Sequence, residues 1–403
     1  MPVSPIPTQT KGRGARSNAA SRFLSRQKEA FDDGWTSDDQ TPKPLRTVVE
    51  PDMARSIITR NNSPDIAFDQ SINPYRGCEH GCVYCYARPA HAYLGLSPGL
   101  DFESRLFFKP FAHELLAREL SKKRYSPQVI HIGGDTDPYQ PIEKSLRITR
   151  QVIETLYRFR HPFTLITKSA LILRDLDVLA PAAAEGLARV AISVTTLDRK
   201  LARSMETRAA TPGRRIEAIR ALSAAGVPTV VMFAPVIPGL NDHELEGVLE
   251  AAAEAGASSA GYVLVRLPRE ISGLFQQWLA TDQPLRASKV MSLIRQTRGG
   301  ADYTADWGLR QTGEGPVAEL VAARFKAASR RLGLDQPRPD LTLDLFAVPA
   351  RCGDQMELFG GETSRREGPS FAAASPGTSG KKRRPARHVA TTGTGPPATP
   401  APG

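Results

Sequence analysis

The sequence predicts an α/β fold built on a parallel sheet. Short β-branched or apolar runs alternate with longer stretches of helical periodicity, and successive strands recur at roughly 30–40 residue intervals. The 403 residues are 40% hydrophobic and 24% charged, which is the composition of a globular protein with a real core. Strand, helix and strand in this order form right-handed units of a parallel sheet. Periodicity alone fits a partial barrel and an open doubly wound sheet equally well.

The strands and helices are predicted from these runs and from their turn residues. A first, less distinct strand ends near Tyr75. The other predicted strands, rich in β-branched residues, are 128–133, 163–167, 189–195, 228–235 and 260–265. Helical periodicity fits 111–123, 142–157, 174–184, 213–225, 242–255, 286–295 and 317–332. Gly226 and Gly256 follow two of these helices, where a helix end favours left-handed backbone.

Polar or backbone-exposing residues follow the predicted strands. Since parallel α/β folds bind their ligands at the carboxyl ends of the strands, these segments predict where the functional site lies. They are Gly133-Gly134-Asp135-Thr136-Asp137, Lys168-Ser169, Thr195-Thr196 and residues 234–239.

The two ends of the chain carry most of its net charge of +11. Residues 1–20 and 361–403 together hold eight of those charges, so the basic balance says little about the body between them. Polar composition without sustained periodicity predicts that residues 1–45 and 361–403 are disordered basic tails. They are either solvated ends or a source of weak, salt-sensitive attraction to nucleic acid. Between them we expect a core domain over 46–285 and a C-terminal helical extension, 286–360, that packs on it.

The sequence also favours a cytoplasmic protein with no membrane partner. The N-terminus lacks the apolar run of a signal peptide, and no stretch approaches the ~20 apolar residues that span a bilayer. Three of the four cysteines fall within eight residues, which excludes a secreted disulfide framework and favours metal or cluster binding in a reducing compartment.

Residues 73–86, here called the cluster loop, read NPYRGCEHGCVYCY and contain Cys78, Cys82 and Cys85. Closely spaced thiolates with adjacent glycines can wrap an iron–sulfur cube. A four-iron cluster with three protein ligands keeps one iron open for a small molecule, as catalytic metal sites do. Two alternatives remain from the residues alone: a zinc site completed by His80 or His91, and an electron-carrying cluster.

The C-x3-C-x2-C motif, with an aromatic residue before its last cysteine, resembles the signature of the radical S-adenosylmethionine (SAM) superfamily. The resemblance covers about residues 70–280. It implies a partial (βα)6 barrel of the TIM type. It also implies a [4Fe-4S] cluster on the three cysteines, with SAM bound to the open iron. SAM is then cleaved reductively and hydrogen is abstracted from a substrate. A reductase, flavodoxin or ferredoxin would supply the electron.

Further details resemble the spore photoproduct lyase and DNA repair photolyase-like branch. They are Tyr84-Cys85-Tyr86, Lys168-Ser169, Ser193, Glu206 with Pro212 and Arg215, and Ala234-Pro235. This likeness places Tyr84 near the adenine and Lys168 at the SAM carboxylate. It places Ser193 near the ribose or amino group, and the loop of Asp135, Thr136 and Asp137 facing SAM.

Three points stay open on the sequence. Tyr86, next to the cluster, is either a catalytic, redox-active phenol or a packing residue. Thr136 or Asp137 fits a turn cap as well as a ligand contact. The lyase branch has a hydrogen-donating cysteine after the second strand, whereas residues 133–136 contain none, so the substrate is not fixed. A nucleic-acid lesion or base is the candidate. The alternatives are a nucleic-acid-binding protein with a structural metal and an electron-transfer protein.

Overall fold

The computed structural model describes residues 12–18, 21–23, 45–66, 68–337 and 340–350. The strands are β1 Val48–Pro51, β2 Ile58–Arg60, β3 Gln70–Ile72, β4 Tyr75–Arg76, β5 Arg105–Phe108, β6 Ile130–Ile132, β7 Phe163–Thr167, β8 Ala188–Ser193, β9 Thr229–Val236 and β10 Ser259–Leu264. The α-helices are α1 Leu100–Ser104, α2 Ala112–Leu120, α3 Glu143–Leu146, α4 Ile148–Arg158, α5 Leu176–Ala184, α6 Arg199–Met205, α7 Pro212–Ala224, α8 Leu245–Glu254, α9 Glu270–Asp282, α10 Ala287–Gln296, α11 Leu309–Thr312 and α12 Gly315–Arg331. Short 3₁₀ helices cover Arg88–Leu94, Ala170–Asp175 and Asp242–Glu244.

Six parallel strands form the main sheet in chain order: β3, β6, β7, β8, β9 and β10. Each pairs with the next along the chain, and β2 adds an antiparallel edge to β3. Helices α4, α5, α7 and α8 lie between successive strands and bury one face each. This is the sheet of a partial (βα)6 barrel, and the predicted fold class is confirmed.

A second, three-stranded sheet lies at the start of the cluster loop. Its order is β1-β5-β4, with β4 antiparallel to β5. The expected first strand near Tyr75 is therefore two separate strands, since β3 ends at Ile72 and Tyr75 belongs to β4. The break falls at Asn73-Pro74, where proline has no N–H to continue a ladder.

The helix predicted over 142–157 is interrupted at Arg147, whose φ is 55°. The cause is Glu143, a buried carboxylate at the start of α3. It accepts a 3.0 Å hydrogen bond from the Thr149 backbone N–H, one of the N–H groups that α4 leaves unpaired at its start. A side chain thus ends one helix and caps the next, which periodicity cannot reveal.

Two short segments of the predicted N-terminal tail, residues 12–18 and 21–23, make specific contacts with the barrel domain and are here called the N-terminal strap. Arg13 is only 3% exposed and donates to the Leu45 carbonyl and to the Thr47 hydroxyl at 3.0 and 2.9 Å. The Ser17 carbonyl accepts from the Leu100 backbone N–H. Most of the contacts that hold the strap are polar, so the amino-acid composition did not indicate it. The rest of residues 1–44 lies outside the described residues.

The C-terminal elements pack on the outside of the barrel. Arg324 of α12 pairs with Glu246 of α8 at 2.6 Å. Beyond α12, the Thr342 backbone N–H donates to the Gly186 carbonyl, and that of Ala347 donates to the Phe159 carbonyl. The chain divides into two units, Met1–Pro349 and Ala350–Gly403, and the predicted basic tail over 361–403 lies outside the described residues. None of the described helices is long and apolar enough to cross a bilayer.

Candidate functional site: three thiols at the carboxyl ends of the strands

The cluster loop leaves β3 and carries three free thiols, Cys78, Cys82 and Cys85. Burial raises the pKa of each of them. The Asp137 carboxylate raises the pKa of Cys78 further, and the Glu206 carboxylate does the same for Cys82. The bare thiols are therefore protonated at neutral pH, and forming the thiolates requires a positive partner such as iron.

Two glycines allow the loop to bend tightly around these thiols. Gly77 and Gly81 have φ values of 75° and 66°, which residues other than glycine rarely adopt. A Cβ on Gly77 would also lie 2.7 Å from the Leu106 side chain and 2.8 Å from the Phe102 carbonyl. Glycine is thus required at Gly77 by both backbone conformation and space.

The donor set fits a cubane cluster better than a single zinc ion. Among the described residues, no three His, Cys, Asp or Glu side chains converge on one ion position. His91 Nε2 is hydrogen-bonded to the Arg105 carbonyl at 2.9 Å, and His80 Nδ1 faces Asp137 Oδ2 at 3.3 Å. His91 therefore has another hydrogen-bond partner, and His80 lies against the Asp137 carboxylate, although its Nδ1 makes no hydrogen bond within the described residues. A cubane instead takes each cysteine on a separate iron, which three thiols on one loop can supply.

A buried carboxylate, Glu206, anchors the middle of the cluster loop to the barrel. It accepts hydrogen bonds from the Tyr84 hydroxyl and the Arg215 guanidinium, and one of 2.7 Å from the Thr195 hydroxyl. Burial alone would raise its pKa. The charges of Arg215 and Lys168, with these hydrogen bonds, outweigh that effect and lower the pKa to about 2. Glu206 is thus ionised, and Tyr84 is held by its hydroxyl.

A second buried carboxylate, Glu103, joins the cluster loop to the N-terminal strap. Its two oxygens accept from the backbone N–H groups of Gly14 and Ala15, each at 2.8 Å, and it pairs with Arg88. The Arg88 Nε donates to the Cys82 carbonyl at 2.9 Å. Strap, carboxylate, guanidinium and cysteine backbone therefore form one connected unit.

Asp137 is a structural centre of the loop after β6. Its carboxylate accepts from the Tyr139 backbone N–H at 2.9 Å, the Thr167 hydroxyl at 2.6 Å and the Lys168 backbone N–H at 2.7 Å. Burial would raise its pKa, but His80 and these donors lower it to about 2. The Thr136 hydroxyl likewise donates to the Tyr75 carbonyl at 3.0 Å. Both residues thus have roles within the protein, and contact of either with SAM stays a prediction.

Near the thiols, two charged side chains, those of Asp135 and Lys168, have no hydrogen-bonded or ion-paired partner among the residues that the structure describes. The Asp135 carboxylate makes no hydrogen bond or ion pair with any other residue in the described ranges, although Asn73 Oδ1 accepts from its backbone N–H at 2.9 Å. Burial raises its pKa, and the nearby charges of Lys109 and Arg76 moderate the rise. The Lys168 ammonium lies 5.9 Å from the centre of the Tyr84 ring.

Lys168 follows β7 and lies close enough to the thiols to act on them. Its charge lowers the pKa of Cys82 and of Cys85, against the larger effect of burial. Ser193, the last residue of β8, is 3% exposed, and its carbonyl accepts from Arg215 at 3.1 Å. The structure therefore places both residues at the strand ends that face the cluster loop.

Tyr86 reaches across the mouth of the barrel from the cluster loop. Its hydroxyl donates to the Gly134 carbonyl after β6, and the Arg266 guanidinium carbon lies 5.1 Å from its ring centre. The side chain is 47% exposed. A role in core packing does not fit a side chain this open, whereas a phenol beside Cys85 at the barrel mouth is within reach of a ligand.

A family model described as the radical SAM superfamily matches residues 72–252, which include the cluster loop and the strands through β9. An uncharacterized protein of Mycobacterium tuberculosis is 35% identical over 237 residues, 58% of this chain and 70% of the relative. This chain belongs to the radical SAM superfamily. An uncharacterized protein of Methanocaldococcus jannaschii is 27% identical over 173 residues, 43% of this chain and 62% of that protein.

Solved structures share the radical SAM fold of this chain. A spore photoproduct lyase variant superposes with a TM-score of 0.51 at 14% identity, covering 71% of this chain and 79% of the lyase. A spore photoproduct lyase complexed with a dinucleoside spore photoproduct gives a TM-score of 0.50 at 13% identity, over 70% of this chain and 79% of the lyase. At these identities the likeness shows the fold alone.

Sequence reasoning predicted which residues meet at this rim but missed the groups that support them, and SAM binding by these residues stays a prediction. The loop thiols, Lys168, Ser193 and the residues after β6 were all predicted at one rim of the sheet, and the structure brings them together there. The strap, the Glu103–Arg88 pair and Arg266 were not predicted. The triplet Gly12-Arg13-Gly14 in a polar N-terminus was the only available signal for the strap.

Proposed function

We propose that this radical SAM protein is an enzyme that binds a [4Fe-4S] cluster through Cys78, Cys82 and Cys85 and cleaves SAM reductively. The observation that supports this most strongly is the charge distribution around the thiols. Asp135 and Lys168 carry opposite charges, neither side chain has a hydrogen-bonded or ion-paired partner within the described residues, and both charges act on the Cys85 thiol. SAM carries an amino group and a carboxylate, which are complementary to these two side chains.

The bound cluster would supply one electron to SAM and so generate the 5′-deoxyadenosyl radical that takes a hydrogen atom from the substrate. The residues of the chain bind and orient SAM. The Asp135 carboxylate receives the amino group of SAM, which also relieves the cost of burying that carboxylate. The Lys168 ammonium pairs with the carboxylate of SAM. Each charge-assisted contact contributes about 1.5–3 kcal/mol.

Uncharged groups complete the proposed SAM site. Ser193 lies at the end of β8 near the ribose or amino group, and Thr136 supports the loop that carries Asp135. Tyr84, held by Glu206, lies near the adenine and fixes the position of the two cysteines that flank it. Asp137 contributes through His80 and the backbone of Lys168, both of which it orients.

Tyr86 is the proposed catalytic residue. Its phenol lies at the open mouth of the barrel, between the cluster loop and the end of β6, and can exchange a hydrogen atom with a substrate radical. The loop after β6 has no cysteine for that step. A cytoplasmic reductase, flavodoxin or ferredoxin would supply the electron that SAM cleavage requires.

The proposed substrate is a nucleic-acid lesion or base, and the proposed activity is of the lyase type. The likeness of the fold to spore photoproduct lyase, with the Tyr84-Cys85-Tyr86 run, supports membership of that branch. Without a cysteine after β6, repair of thymine photoproducts by the lyase's own route is not proposed.

The test is anaerobic reconstitution followed by addition of dithionite and SAM. We expect about four irons per chain with thiolate-to-iron absorbance, and release of 5′-deoxyadenosine. Replacing any one of Cys78, Cys82 or Cys85 by Ala should abolish both, whereas Cys352→Ala, the control, should change neither. Stoichiometric zinc without that absorbance would refute the cluster. If the cluster forms but no 5′-deoxyadenosine is released, the result would favour an electron-transfer protein over a radical SAM enzyme.

A further inference from the structure

Arg266 is an arginine at the mouth of the barrel with an incomplete set of partners. It follows the end of β10 by two residues, on the rim where the carboxyl ends of the strands meet. One face of its guanidinium covers the Tyr86 ring at 5.1 Å. Its Nε is buried and has no hydrogen-bond acceptor among the described residues. A buried N–H without an acceptor is costly, so this orientation favours a ligand that accepts from it.

Arg298 is a second arginine directly beside it. Its Nη2 donates to the carbonyl of Val265, the residue before Arg266, at 3.0 Å, and its Nη1 donates to the Leu309 carbonyl at 2.6 Å. The side chain is 3% exposed, yet its Nε also lacks an acceptor in the described part of the chain. Burial, and then the charge of Arg266, lower the pKa of Arg298 to about 10. Two like charges are thus held together in a partly dry site.

The acidic side chains near Arg266 and Arg298 either pair with another residue or act on Arg298 alone. Asp65 is paired with Arg310 and accepts from the Gly308 backbone N–H at 2.6 Å. The Gly308 backbone donor lowers the pKa of Asp65 most. Arg310 lowers it further, Arg266 contributes least, and burial acts in the opposite direction. Glu314 and Tyr303 act on Arg298. In the described residues Arg266 has no carboxylate of its own, and an added anion would offset the repulsion.

We propose that Arg266, supported by Arg298, binds a phosphate group of a nucleic-acid substrate at the barrel mouth. This rests on the function proposed above and specifies its substrate class. Phosphate is favoured because exposed rings lie in the same region. Tyr86 is half exposed, and Trp307 is 55% exposed with the Arg310 guanidinium 5.8 Å from its ring centre. Arginines and exposed aromatic rings together bind phosphates and stack bases of single strands.

The test uses the full-length, cluster-loaded protein and a fluorescein-labelled oligothymidylate of eight nucleotides, measured by anisotropy at several salt concentrations. Arg266→Gln should weaken binding by about 10- to 100-fold and should reduce the slope of log affinity against log salt by about 0.7. Arg266→Lys keeps the charge and should restore the slope with part of the affinity. The matched control is Arg220→Gln on α7, an exposed arginine paired with Glu217 at 2.7 Å. The basic tails are the same in all variants.

Two further measurements define the ligand. A methylphosphonate-linked oligothymidylate has no backbone charge, so the parent and Arg266→Gln should bind it equally. Equal affinity and slope of both proteins for the charged oligonucleotide would overturn the inference, and so would an effect no larger than that of Arg220→Gln. A loss confined to a labelled hexaglutamate peptide would assign the site to carboxylates and overturn the phosphate. Binding is measured without SAM or reductant, so formation of 5′-deoxyadenosine is an independent result.

Discussion

Replacing Gly14 by Ala should release the N-terminal strap from the cluster loop. A Cβ at this position would lie 1.8 Å from the Gly81 carbonyl oxygen and 3.2 Å from a methyl group of Val83. Carbon and oxygen do not approach within 3.0 Å at a real side chain, so the strap must move by at least 1.2 Å, the difference between 3.0 and 1.8 Å. The Gly81 carbonyl belongs to the backbone beside Cys82 and cannot give way without moving the cysteines.

The size of the effect follows from the contacts that such a movement breaks. The backbone N–H groups of Gly14 and Ala15 both donate to Glu103 at 2.8 Å, and a movement of more than 1 Å takes both beyond hydrogen-bond distance. Two hydrogen bonds to a buried carboxylate set an upper limit of about 3–6 kcal/mol. Because the released strap regains conformational entropy, we expect a measured loss of about 2–3 kcal/mol.

The assay is limited trypsin digestion combined with the rate of cluster loss to an iron chelator. Trypsin cleaves after arginine, and the strap contains Arg13, Arg16 and Arg22. A loss of about 1.4 kcal/mol or more should accelerate strap cleavage at least tenfold, since the open fraction rises by that factor. The cluster should also be lost faster, because Arg88 and Glu103 would no longer be held from the strap side.

Gly213→Ala is the matched control. A Cβ there meets no atom within 4 Å, and the residue lies in α7, where alanine is favoured. The reasoning is refuted if Gly14→Ala and Gly213→Ala are cleaved at the same rate. Faster cleavage with an unchanged rate of cluster loss would show that the strap is dispensable for the cluster loop.

Three further predictions concern SAM binding and acid stability. Lys168→Ala should leave the cluster absorbance intact and weaken SAM binding in calorimetry by about 10- to 150-fold, with partial rescue in Lys168→Arg; unchanged affinity would make Lys168 a surface residue. Asp135→Asn should weaken SAM binding by a similar factor while SAM lacking its amino group binds both proteins equally; a parent-like affinity for SAM would remove Asp135 from the site. His161 is fully buried, and burial lowers its pKa to about 4 from 6.5. The neutral imidazole therefore stabilises the fold fully above pH 6.5, and the free energy of unfolding falls by about 1.4 kcal/mol per pH unit from there toward pH 4. In urea unfolding of the cluster-free protein, the His161→Gln variant should lack this part of the pH dependence.

The fold and the grouping of the three thiols could be predicted because they rest on repeated or closely spaced signals. Four of the barrel strands, β7 to β10, coincide with predicted runs rich in apolar or β-branched residues, and the three thiols lie within eight residues of one another. A sheet of parallel strands then brings Lys168 and Ser193 to the rim without further information. These features follow from local pattern and from one topological rule.

The remaining features depend on single long-range contacts between polar groups. Glu143 ends α3 and caps α4 through one backbone donor, so the break at Arg147 has no periodic signal. Glu103 became visible as a structural centre only when Gly14 and Arg88 were brought to it, across sequence separations of 89 and 15 residues. An acidic residue is most often exposed to solvent, so the sequence alone does not predict that Glu103 is a buried anchor for the strap and Arg88.

The strap also has a consequence for the order in which the protein matures. Arg16 pairs with Asp282, 266 positions further along the chain, so this contact of the strap forms only after α9 has been synthesised. At about 5–20 residues per second, translation of that interval takes roughly 13–50 s. During this time the strap can hold only its nearer partners, the Glu103 carboxylate and the Leu100 backbone. The contacts of Arg16 and Arg22 with α9 are therefore the last of these strap contacts to form.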